Sequence, residues 1–139
     1  GDLQIREVRH AVTAFNSLGF ADEKFLTSVC QWLIPRVETC SSAEIVALAF
    51  ALSRANMAAG HAHSELFGAF SSEVPSRLKR HEITGRDACS LLYSFSQARA
   101  LDTKLEASLA QVVKDGMKTL NGQDLALAMP CLSSTARQQ

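Results

Sequence analysis

Ser41-Ser42-Ala43-Glu44-Ile45-Val46-Ala47-Leu48-Ala49-Phe50-Ala51-Leu52-Ser53-Arg54-Ala55 has a gapless counterpart 43 residues later, Thr84-Gly85-Arg86-Asp87-Ala88-Cys89-Ser90-Leu91-Leu92-Tyr93-Ser94-Phe95-Ser96-Gln97-Ala98. Each begins with a polar cap, places an acid three residues on, and closes an apolar stripe on Ser-polar-Ala. Ser41 with Glu44 has capping-box spacing, in which hydroxyl and carboxylate each satisfy an otherwise unpaired amide of the first turn. The acid also suits the positive end of the helix dipole. Behind the cap, Ile45, Leu48, Ala49 and Leu52 fall at i, i+3, i+4 and i+7, one face of a helix. Ala88, Leu91, Leu92 and Phe95 repeat that face.

Two fainter copies flank these. Val8, Ala11, Val12 and Phe15 lie 37 residues before the first, with Glu7 as the acid, and Asn121 with Asp124 opens another 37 residues after the second. Each full copy is followed by a second helical pattern. Asp22 and Asp102 are its N-cap candidates, and Val29, Leu33 and Val37 correspond to Leu66, Phe70 and Val74, then to Leu109, Val113 and Met117. The unit is a pair of helices of roughly 14 and 17 residues joined by a short turn such as Gly19-Phe20-Ala21. The six extra residues in the middle spacing coincide with 77–82 and read as an extension or insertion between hairpins. Recurrent helical pairs that bury both faces on their neighbours predict an all-α fold, an α-solenoid of about three and a half antiparallel hairpins. The units span about 3–40, 41–82 and 83–120, with a half unit at 121–134, in a single domain over 1–139.

Composition narrows the function. Nearly half of the residues are apolar, enough for a core, while the apolar run 45–52 is too short to span a bilayer. The chain starts Gly1-Asp2 without an initiator Met, which reads as a processed product or a piece of something longer; loss of an organelle-targeting presequence is one cause. The cysteines (Cys30, Cys40, Cys89, Cys131) stand in no Cys-x-x-Cys spacing and read as small buried hydrophobes. His61-x-His63 splits its rings between two sides of a helix, so no metal site is expected. Net charge is zero, yet residues 77–118 hold eight bases against five acids. That asymmetry is modest beside the basic stripe of a dedicated nucleic-acid binder. With no Gly-rich phosphate loop, no nucleophile elbow and no carboxylate pair outside the caps, an enzyme is not expected, nor a cofactor or small-molecule substrate.

Leu91-Leu92-Tyr93-Ser94-Phe95-Ser96-Gln97-Ala98 with Leu101-Asp102-Thr103-Lys104-Leu105 resembles the hairpin repeats called heptatricopeptide and octotricopeptide repeats, found in FAST-kinase-like and RAP-associated organellar proteins. Ala47-Leu48-Ala49-Phe50-Ala51-Leu52-Ser53 is similar, as is Phe15-Asn16-Ser17-Leu18 with Phe20-Ala21-Asp22-Glu23-Lys24-Phe25. The likeness covers about residues 3–132; no RAP-like segment is visible in them. It implies work on RNA in mitochondria or, alternatively, plastids, in transcript stability, processing or translation. In some protists such proteins are parts of the mitochondrial ribosome. A short neutral array fits a fixed subunit of a larger ribonucleoprotein, with rRNA or an organellar transcript and neighbouring subunits as partners.

The exposed ridge of the first helices reads Arg6, His10, Thr13, Ser17; Ala43, Ala47, Phe50, Arg54; Arg86, Ser90, Tyr93, Gln97. Arg6, Arg54 and Arg86 are candidates for phosphates, Ser90 and Gln97 for base edges, and Tyr93 for stacking on a base. Against this, Phe50 and Tyr93 are equivalent positions suited to packing between hairpins. Arg77, Lys79 and Arg80 form the densest positive patch, either a phosphate contact or a solvated helix end that suits the dipole. Trp32 reads as junction packing or as a stacking platform. The rival function is a protein–protein scaffold of a mitochondrial complex without RNA contact, since helical arrays bind proteins as readily as RNA.

Overall fold

The computed structural model describes residues 4–18, 22–54 and 60–132. The turn read at 19–21 lies outside the described residues, as do 55–59 and the end of the half unit from 133. Within them the chain is all-helical, with seven α-helices and no strand. These are α1 (Ile5–Leu18), α2 (Glu23–Leu33), α3 (Ser42–Arg54), α4 (His61–Lys79), α5 (Gly85–Gln97), α6 (Thr103–Asp115) and α7 (Gly122–Ala128).

The helix starts are fixed by the side chains that the spacing singled out. The Ser41 and Glu44 side chains pair with each other's backbone amides at 3.1 and 2.7 Å. Thr84 with Asp87 and Asn121 with Asp124 form the same reciprocal box. Asp22 and Asp102 cap α2 and α6 by accepting from Phe25 and Leu105 amides. Prolines shape the ends: α2 gives way at Leu33 to a 3-10 stretch, Ile34–Thr39, that holds Pro35, and α7 stops before Pro130 in the same manner. Pro lacks the N–H needed to continue the α-helical ladder. α4 instead carries Pro75 within it and runs on to Lys79.

The first three of the extra residues, 77–79, therefore lengthen α4, which a Schellman motif closes. His81 takes a left-handed φ of 58° while the amides of Glu82 and His81 reach back to the Arg77 and Leu78 carbonyls. α5 ends in the same way, with Arg99 at φ 57° and the Ala100 and Arg99 amides bonded to Phe95 and Ser96. An L side chain in that region costs about 1–2 kcal/mol, part of which glycine gives back as unfolded-chain entropy. Arg99→Gly is expected to raise stability by about 0.5 kcal/mol in urea denaturation; a loss would show that the Arg99 side chain makes compensating contacts.

α1 packs on α3, α3 on α5 and α5 on α7, while α2 packs on α4 and α6 on α5. Ile45, Leu48, Ala49 and Leu52 are fully buried, and so are Ala88, Leu91, Leu92 and Phe95. The second-helix positions follow suit from Val29 to Val113, but Met117, beyond the end of α6, is exposed. α5 meets the end of α6 at a glycine pair, where a Cβ on Gly116 would stand 3.3 Å from the Gly85 Cα. α4 and α6, by contrast, are not packed along each other.

Candidate nucleic-acid interface

The exposed edge of α1, α3 and α5 is built by helix periodicity. Residues one turn apart share a face, so Phe50 and Arg54 stand together on α3, as do Tyr93 and Gln97 on α5. Phe50 and Tyr93 meet across the α3–α5 seam, ring centroids 5.7 Å apart and tilted by 44°. The Arg54 guanidinium lies 5.6 Å from the Phe50 centroid, and the Gln97 amide donates to the Tyr93 hydroxyl at 3.0 Å. The four side chains thus form a continuous row across two helices. Both rings are only half-buried, so they serve as inter-helix packing and as an exposed π surface together.

Between α1 and α3 the same edge is indented. A cleft of about 220 Å³ is lined by Arg9, Thr13, Asn16, Phe50 and Arg54 among others. A second, of about 250 Å³, adjoins it beside Arg6, Arg9 and Ala43. Asn16 donates to the Ala51 carbonyl at 2.8 Å, which fixes α1 against α3 below the first cleft. Arg9 and Asn16 are additions to the expected set. They lie one position from His10 and Ser17, a difference of about 100° around a helix, and a ridge assignment from periodicity alone does not resolve it.

The other expected residues part company. Arg77 is a correction: it is 3% exposed, and its guanidinium is spent inside the fold. It donates to the Glu73 carboxylate (3.0 Å), the Ser42 hydroxyl (3.2 Å) and the Glu38 carbonyl (3.2 Å). Ser42 in turn donates to Glu82 at 2.6 Å, and this bond, aided by Arg80 and Arg77, holds the Glu82 carboxyl below its ordinary range against an opposing desolvation. Lys79 and Arg80 are exposed, Arg80 standing 3.6 Å from Glu82. Arg86 is exposed but pairs at 3.3 Å with the shielded Asp124, tethering α5 to α7. Ser90 is half-buried on α5. Trp32 carries the Arg36 guanidinium 4.2 Å above its ring, which occupies one of its two faces.

No family model, curated protein or solved structure matches the chain. Among the described residues no three His, Cys, Asp or Glu side chains gather as a metal-binding group, and no helix is long and apolar enough to cross a membrane. Cys30 and Cys40 are buried, and desolvation pushes both thiols up to about 11, so they are poor nucleophiles at neutral pH.

Proposed function

We propose that this chain is an organellar RNA-binding helical-repeat module, mitochondrial or alternatively plastid, and a subunit of a larger ribonucleoprotein such as a mitochondrial ribosome. Its helix pairs stack as an α-solenoid, and the edge of α1, α3 and α5 receives single-stranded RNA. The row Arg54–Phe50–Tyr93–Gln97 carries this reading, because it sets a cation, two π faces and an amide side by side next to clefts lined by Arg6 and Arg9. Those groups answer the needs of a single strand: phosphates to neutralise, bases to stack and edges to hydrogen-bond. The family resemblance of residues 3–132 supports the same class of ligand and the organelle. Lys79 and Arg80 extend the positive surface; Arg77 does not belong to it.

With about three phosphates neutralised, affinity for a labelled single-stranded RNA should fall roughly twentyfold between about 50 and about 200 mM salt. Arg9→Glu with Arg54→Glu should weaken binding at least about tenfold at low salt, and Tyr93→Ala by about fivefold or more. Lys79→Glu with Arg80→Glu should act less strongly. Absence of binding at low salt would overturn the proposal and leave the protein-scaffold alternative.

A further inference from the structure

α2 and α4 are successive second helices and pack directly, whereas the next such pair, α4 and α6, leaves a groove of about 760 Å³. Its apolar wall is Pro75 and Leu78 from α4 with Leu105 and Val112 from α6. That volume lies in the range of built ligand sites, a few hundred to about 1,000 Å³. We infer that this groove docks an acidic amphipathic helix of a partner protein, its apolar stripe against these four residues and its carboxylates against Lys79 and Lys104.

Charge selects the occupant. Lys79 and Lys104 both line the groove, both are exposed, and neither pairs with an acid among the described residues. Lys104 stands in the first turn of α6, whose dipole is already answered by the Asp102 cap and by Glu106, so its own charge faces outward onto the groove. Asp102, which also lines the groove, has its carboxylate committed to the Leu105 amide at 2.7 Å. Pro75 adds a polar feature, since without an N–H it cannot bond to the Ser71 carbonyl one turn back, on the same groove. Two helices flanking an apolar lane call for a third helix in the lane, the geometry of helix-in-groove recognition. The groove lies between second helices and shares only Lys79 with the surface proposed for RNA, so Lys104 and the apolar wall test it apart from RNA binding on the edge of the first helices.

The test uses the full chain, labelled with ¹⁵N, and a synthetic helix of about 15 residues with leucines at i, i+3, i+4 and i+7 bordered by glutamates. A twin peptide carries lysine for every glutamate. The acidic peptide should shift amides within 71–79 and 102–112, and the twin should bind at least about tenfold more weakly. Lys104→Glu, whose melting should be unchanged, should weaken the acidic peptide about tenfold and leave RNA affinity intact. Equal binding of the twins, shifts elsewhere, or no shift at about 1 mM peptide would overturn the inference. So would an RNA oligonucleotide that shifts the same amides and displaces the peptide, which would make the groove a nucleic-acid site.

Discussion

Arg77→Ala is expected to lower the stability of the chain by about 3 kcal/mol, whereas Lys79→Ala and Arg80→Ala should each stay within about 0.5 kcal/mol. The guanidinium joins three segments: Glu73 on its own helix, Ser42 at the start of α3, and the Glu38 carbonyl in the 3-10 stretch before it. Its removal strands a carboxylate that is only 19% exposed and leaves the Glu38 carbonyl without this donor, while the Ser42 hydroxyl keeps its bond to Glu82. Breaking a buried pair costs about 3–5 kcal/mol; the partial exposure of Glu73 puts this one at the lower end. Arg77→Lys should recover less than half, because an ammonium lacks the fork that serves three acceptors in different directions. Arg77→Met keeps the packing of the stem and isolates the polar loss. Urea denaturation of the five variants checks the ranking, and equal losses at 77, 79 and 80 would dismiss the buried network. The adjoining Glu82 adds an acid-side signature. Its folded pKa is depressed, so its contribution is whole above the unfolded value near about 4.3 and is lost as pH falls through the lower folded value. Ser42→Ala should remove most of that dependence.

This network also shows what a sequence conceals. The caps were readable because capping is local: Ser41, Thr84 and Asn121 each find their acid three residues away, whatever the tertiary fold does. The buried faces were readable because Ile45, Ala88 and their partners recur at helical spacing. Arg77-Leu78-Lys79-Arg80 offers no such cue. Three cations in four residues look alike on paper, and only the turn of α4 sends Arg77 inward while Lys79 and Arg80 face water. Arg86 presents the same difficulty, since its partner Asp124 is 38 residues away. The groove between α4 and α6 was hidden for a different reason. Its wall residues are unremarkable singly, and the opening arises from how far apart two helices stand. The extra residues at 77–82 were visible as a break in the repeat, but periodicity could not say whether they would lengthen a helix or form a loop.

Phe67→Ala should cost more still, about 4 kcal/mol. Phe67 is wholly buried on α4, edge-on to Phe70 (5.5 Å, 87°) and to Phe95 of α5 (5.6 Å, 89°), and stacked on His63 at 4.8 Å. The equivalent positions in α2 and α6 are Cys30 and Ala110, both buried and both small. The repeat therefore keeps this position apolar while placing its one large ring in the middle helix pair, where it bridges to the next pair. An alanine there leaves a void that three aromatic neighbours cannot close without leaving their own contacts, so the transfer loss and the cavity loss both apply. The Phe67–Phe95 contact should appear as a coupling of about 0.5–1.5 kcal/mol in a double-mutant cycle. Because that contact crosses from one helix pair to the next, it would read, in the proposed solenoid, the term by which stacked units hold together. Native-state hydrogen exchange of Phe67→Ala should then speed in α4 and α5 first and leave α1 and α2 closer to wild type. Uniform acceleration over all helices would mean that the chain opens only as a whole, and the stacked-unit description of its energetics would have to be given up.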